Sequence, residues 1–255
     1  PILYHKDMIP QFSVAENYKL NYKNLTYGIV WFTIGLFKKV VIADKLAVWA
    51  NQVFNNATNL TMLDAWGGSL AYSLQLYFDF SGYSEMAIGL GLLFNYNLPL
   101  NFNLPYRATS IIDFWRRWHM TLSAFLKNYL YIPLGGNRSG NHMRNILITM
   151  FLGGLWHGAG WTFIFWGVLH GVFICINHLW RKTKIVLPKF LCWLLTFNAV
   201  NIAWIFFRAN SFEGAMNIVR AMFDVNRLAG PYNKYLAKWF VLFSGDYTVL
   251  SFSDW

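Results

Sequence analysis

Apolar runs alternate with short charged connections along the whole chain. The longest run, residues 145–180, contains no Asp, Glu, Lys or Arg. It exceeds one membrane span of about 20 residues, and Gly153, Gly154, Gly158 and Gly160 sit where a helix can break and turn back. The pattern predicts two helical legs meeting near Trp156-His157-Gly158. Arg138 and Arg144 precede the run, while Arg181, Lys182, Lys184 and Lys189 follow it. Positive charge at both ends places both on the cytoplasmic side, so the legs form a hairpin. A helix from Asn145 to His157 rises roughly 20 Å against a hydrocarbon core of about 30 Å, leaving His157 well inside the membrane.

The rest of the chain reads as further helices. Residues 1–23 suggest a polar loop or short surface helix. Residues 25–37 are apolar, and Lys38, Lys39, Asp44 and Lys45 interrupt their continuation to Trp49: either the span ends at Lys38 or the lysines snorkel. An Asn-rich connection follows at 51–59. Residues 62–78 predict a second span. Beyond it Asp79 and Glu85 are expensive near hydrocarbon, and Ser81-Gly82 suggests a helix break with Asp79 capping the next helix. A functional role for the acids, or pairing with arginines further along, is the alternative. After a loop at 95–106, residues 113–130 predict one amphipathic helix, too polar to span, lying in the interface or lining a cavity. A turn at 133–138, a span at 190–207 stopped by Arg208, and an amphipathic helix at 211–221 with Ser211 as N-cap complete the pattern. Residues 239–250 begin an element whose type the pattern does not fix. The fold class predicted is all-α: a polytopic transmembrane helical bundle with re-entrant and interfacial helices.

Composition sharpens this picture. Of 255 residues 56% are hydrophobic and 13% charged, against about a quarter charged in soluble domains. The net charge of +10 sits in short loops between apolar runs, which positive-inside topology explains and nucleic-acid binding does not. Thirteen Trp suit interfacial belts and cavity walls. Cys175 and Cys192 lie in apolar runs as small hydrophobes, and neither a disulfide framework nor a metal-ligand spacing exists. No internal repeat supports a transporter of inverted halves. No cleavable signal peptide is visible; the chain opens on Pro1 and closes on an apolar, aromatic stretch, so a fragment of a longer protein is expected.

Chemistry centres on His157, because an imidazole at membrane depth with glycines on both sides implies close approach of backbone or substrate. His170, about 220° further around a helix, would not share its face. His170 and Asn177, seven apart, do share one, and a polar helix-helix contact is the favoured reading. His119, beside Arg116 and Arg117, is either interfacial or a ligand contact. His178 reads as interfacial.

Five segments then converge: Leu76-Tyr77-Phe78-Asp79-Phe80-Ser81-Gly82-Tyr83-Ser84-Glu85-Met86-Ala87-Ile88-Gly89, Asp113-Phe114-Trp115-Arg116-Arg117-Trp118-His119, Tyr129-Leu130-Tyr131-Ile132-Pro133-Leu134-Gly135-Gly136-Asn137-Arg138, Gly153-Gly154-Leu155-Trp156-His157-Gly158 and Trp204-Ile205-Phe206-Phe207-Arg208-Ala209. Together they resemble the membrane-bound O-acyltransferases, specifically the bacterial branch that includes alginate O-acetyltransferase, from the first residues to about Ala215. Family members are roughly twice this long. The resemblance implies one membrane-embedded acyltransferase domain over 1–255, in a bacterial inner membrane, with the histidine of Trp-His-Gly, His157, as the catalytic residue. Glu85 and Asn128 stand where the family pattern has Asp, which bears on donor and acceptor contacts and not on the base. The expected reaction moves an acetyl group from a cytoplasmic thioester, acetyl-CoA, towards an exported polysaccharide. His157 is the general base; His119, Arg116, Arg117 and Trp156 contact substrate or donor. No bound cofactor and no metal are expected. The expected partners are membrane lipid, the acyl donor and a periplasmic acetyltransferase, not nucleic acid. The alternatives are transfer of D-alanine or another acyl group from a carrier protein to a cell-wall polymer, and a channel or transporter with a histidine-lined path.

Overall fold

The computed structural model describes residues 3–138 and 140–228. Among them no strand occurs, and the chain forms α1 (His5–Phe12), α2 (Tyr22–Phe37), α3 (Asp44–Asn55), α4 (Met62–Leu93), α5 (Ile111–Arg117), α6 (Met120–Phe125), α7 (His142–His157), α8 (Trp161–Thr183), α9 (Lys189–Arg208) and α10 (Phe212–Met222). Three stretches, Tyr22–Asn55, Trp161–Thr183 and Lys189–Arg208, are long and apolar enough to cross a membrane. The fold is therefore the all-α membrane bundle expected. The element expected at 239–250 lies outside the described residues.

The helix does not end at the two lysines after α2. α2 continues into α3 through a π-helical turn, Lys38–Ala43, in which the Asp44 N–H donates to the Lys39 carbonyl five residues back. Lys38 pairs with Glu85, and Lys39 lies 2.9 Å from Asp44 and 2.8 Å from Asp79. The acids of α4 are thus met by lysines upstream, not by arginines further along.

No break occurs at Ser81-Gly82. α4 runs unbroken for 32 residues from a Thr61/Asp64 capping box. The glycines serve a helix crossing instead: a Cβ on Gly82 would sit 2.6 Å from the Gly35 carbonyl oxygen, and one on Gly89 2.6 Å from that of Gly28. Small residues let α2 and α4 touch backbone to backbone, which fixes where the paired charges meet.

The single helix expected at 113–130 is divided. Trp118 is extended, His119 is left-handed at φ 41°, and α6 ends in a second π turn, Leu126–Tyr131. The preceding loop takes the backbone groups a continuous helix would use. Asn103 N–H donates to the Arg117 carbonyl (3.0 Å), Met120 N–H donates to the Asn101 carbonyl (2.9 Å), and Thr121 Oγ1 donates to Asn101 Oδ1 (2.7 Å).

The central hairpin forms as predicted. α7 ends at His157, residues 158–160 turn, and α8 leaves from Trp161. The legs are tightly apposed: a Cβ on Gly167 would lie 3.0 Å from the Gly154 Cα. α10 follows with Ser211 Oγ accepting from the Gly214 N–H at 3.0 Å, the predicted cap. Its buried Ala215, Ile218 and Met222 pack towards α3, α4 and α9. Between these helices lies an aromatic core in which Phe114, Trp118, Trp166 and Trp204 are all buried.

Candidate active site

His157 is the last residue of α7, so the helix that crosses from the basic loop delivers its imidazole at the hairpin turn. Three aromatic rings surround it. Trp166 stands edge-on at 5.2 Å, Phe207 lies at 5.0 Å and Trp156 at 4.9 Å between centroids. The side chain is half-buried, and among the described residues no hydrogen bond ties either ring nitrogen. Trp156 is 61% exposed and Trp161, across the turn, 78%, so the turn presents aromatic surface outward.

The glycine turn offers few free amides. The Gly158 N–H already donates to the Leu155 carbonyl at 3.2 Å. No side chain caps α8; the Phe163 N–H donates to the Gly160 carbonyl at 3.1 Å, which leaves the Trp161 and Thr162 amides without an acceptor among the described residues.

His119 stands at the break between α5 and α6. It is 7% exposed. Its Nδ1 accepts the Leu122 N–H at 3.2 Å, capping α6, so the proton of the neutral ring sits on Nε2. Phe80 packs against the ring at 4.7 Å. Behind it, Tyr106 donates to the Ser73 carbonyl at 2.6 Å, and burial pushes this loop phenol up, keeping it a donor.

The two arginines separate. Arg117 is engaged, with Nε 2.9 Å from Asp113 Oδ1 and Nη1 donating to the Asn103 carbonyl at 3.3 Å. Arg116 is exposed and lines a cavity of about 380 Å³ with Trp115, Lys127, Tyr131, Asn137 and His178. Ile146 and Met150 of α7 form its apolar side, so the same helix that ends at His157 walls this cavity.

Sequence reasoning missed Trp166 and Phe207 as walls of the His157 chamber, because aromatics inside apolar spans carry no signal of which ring faces which. It read His178 as interfacial, whereas the residue lines the cavity beside Lys127. The polar contact expected of His170 exists: its Nδ1 accepts the Trp115 indole N–H at 3.3 Å. Asn177 makes no such contact; its Oδ1 is buried without a partner.

The sequence model of the membrane-bound O-acyltransferase family matches residues 1–214. The chain is 54% identical over 232 residues to the peptidoglycan O-acetyltransferase of Helicobacter pylori, covering 89% of this chain and 44% of that protein. It is 46% identical over 229 residues to the probable alginate O-acetylase of Pseudomonas aeruginosa, covering 88% and 43% respectively. The teichoic acid D-alanyltransferase of Bacillus subtilis is 29% identical over 213 residues, 76% of this chain and 54% of that protein. The chain thus spans less than half the length of the first two relatives. Over the shared length, the chain belongs to the membrane-bound O-acyltransferase family.

Proposed function

We propose that this chain carries the single catalytic domain of a multi-pass inner-membrane O-acyltransferase. It moves an acetyl group from acetyl-CoA, on the cytoplasmic side, towards an exported polysaccharide. The observation that carries this reading is His157 itself, an imidazole at the end of α7, ringed by aromatics, with neither nitrogen hydrogen-bonded among the described residues.

In the reaction, the neutral imidazole takes the proton of the acceptor hydroxyl as that oxygen attacks the thioester carbonyl. The tetrahedral intermediate then expels the CoA thiolate, which takes the proton held by His157 and returns the imidazole to its neutral form. Negative charge on the carbonyl oxygen is met by the first-turn amides of α8, whose helix dipole has its positive end there. Trp156 borders the reacting carbonyl. The cavity bearing Arg116 and Lys127 receives the donor's phosphates, and α7 leads from it to His157. The Arg117 pairing argues that this residue holds the α5 break and does not touch the donor. His119 positions the same break and faces the acceptor path.

The names of the relatives place two acceptor classes first for assay, peptidoglycan and alginate. A periplasmic acetyltransferase partner is expected to complete delivery. The second reading, transfer of D-alanine from a carrier protein, is favoured by the D-alanyltransferase relative alone. The experiment is thioester turnover by purified protein, with acetyl-CoA and D-alanyl carrier protein offered separately. Hydrolysis or transfer of acetyl-CoA alone supports the first reading and use of the carrier alone the second. Turnover of neither by folded protein leaves the channel alternative.

A further inference from the structure

A second cavity lies on the other flank of α8, between it and α9, unconnected to the chemistry above. It is an open groove of about 230 Å³, walled by Ser110 and Ile111 at the start of α5 as well as by Ile176, Leu195 and Ala199, with Trp180, Leu187 and Cys192 beside them. A space of this size holds part of one hydrocarbon chain, and less than one turn of a helix about 10 Å across and 5.4 Å long.

The charge at the Trp180 end points to one occupant. Arg181, Lys182, Lys184 and Lys189 are all exposed there, and none has an acidic partner among the described residues. The sequence supplies no neutralising group nearby, since no Asp or Glu occurs from residue 114 to residue 212. Asn177 lines the same cavity one helical turn deeper than Arg181, and its Oδ1 is buried without a partner. That depth, about 6 Å below the cations, is where glycerol ester groups lie beneath a lipid phosphate. The carboxamide nitrogen of Asn177 can donate to such an ester carbonyl.

We propose that the α8–α9 groove binds an anionic diacyl phospholipid, one acyl chain in the cavity, an ester at Asn177 and the phosphate on Arg181, Lys182, Lys184 and Lys189. Basic clusters at the membrane boundary favour anionic lipid in this way. The site is independent of the donor cavity, so its occupancy does not depend on the reaction proposed above.

The test uses purified protein in nanodiscs of phosphatidylcholine with or without phosphatidylglycerol, reading retained lipid by native mass spectrometry. Wild type should retain phosphatidylglycerol over phosphatidylcholine by about tenfold. The Arg181→Gln/Lys182→Gln/Lys184→Gln/Lys189→Gln variant should lose the preference, and Ala199→Trp should lose the bound lipid with all four cations in place. Maleimide labelling of wild-type Cys192 should slow when phosphatidylglycerol is present, with Cys175, outside the cavity, as the reference; this reading needs no variant to fold. Equal retention of the two lipids, unchanged Cys192 labelling, or displacement of phosphatidylglycerol by millimolar inorganic phosphate would each overturn the proposal.

Discussion

Trp115 donates its indole N–H to Nδ1 of His170 across 3.3 Å, inside a core where His170 has no exposed surface. The bond joins α5 to α8 and closes a line of rings, because His170 also lies 5.1 Å from Trp166, the indole that stands edge-on to His157. Trp115→Phe removes the donor and leaves a buried nitrogen unpaired, a cost of about 1–3 kcal/mol. The double variant Trp115→Phe/His170→Phe should cost less than the sum of the two singles. Melting curves in detergent for the four proteins measure the coupling; strict additivity would mean that the bond contributes nothing.

His157→Ala and His157→Gln should lower acyl transfer by about 10²- to 10⁴-fold, the usual worth of a positioned base, without changing the melting temperature beyond a few degrees. The side chain makes ring contacts only, so its removal breaks no hydrogen bond seen among the described residues. Wild-type-like turnover in the folded variant excludes it as the base.

Arg116 and Arg117, adjacent in sequence, should fail differently. Arg116→Ala is expected to raise KM for acetyl-CoA severalfold with stability unchanged, since the side chain is exposed at the cavity mouth. Arg117→Ala should lower the melting temperature, because Asp113 and the Asn103 carbonyl lose their partner. Donor-concentration kinetics beside melting curves separate the two; the reverse pattern would move donor binding to Arg117.

Lys38→Ala leaves Glu85 with an uncompensated charge on a side chain 16% exposed. Breaking such a pair costs about 3–5 kcal/mol, whereas removing both charges together costs little. Membrane yield and melting temperature should fall in Lys38→Ala and recover in Lys38→Ala/Glu85→Ala. A double variant as poor as the single would show that Glu85 is needed for more than charge balance.

The sequence made some of these features readable and hid others for physical reasons. The hairpin and its Trp-His-Gly turn were legible, because a charge-free run with glycines at its middle has few other solutions in a bilayer. The break assigned to Ser81-Gly82 was wrong because acids and glycines in an apolar run look alike whether they end a helix or meet a neighbour. Only the contact with α2 shows that Gly82 faces Gly35 and that Glu85 faces Lys38. The real break at Trp118-His119 carries no Gly or Pro. It is imposed from outside by the Asn101 to Asn103 loop, which local propensity does not encode. The separation of Arg116 from Arg117 needed the backbone as well, since residues on a short helix diverge by about 100° per position.

The π turn at Lys38–Ala43 also sets the angular phase of everything after it. One extra residue in a single turn rotates the following helix by about 100° relative to an uninterrupted one. Ala50, Val53 and Phe54 face α4, with Phe54 5.4 Å from Tyr72 and Val53 against Gly68, and the turn sets them in a different angular sector of the helix from Gly28 and Gly35, which touch the same partner. A helical wheel drawn through residues 22–55 as one regular helix consequently smears two apolar stripes into one. Deleting one residue of the turn would return it to α geometry and leave Val53 and Phe54 facing α4, because the deletion removes the residue that the π turn absorbs.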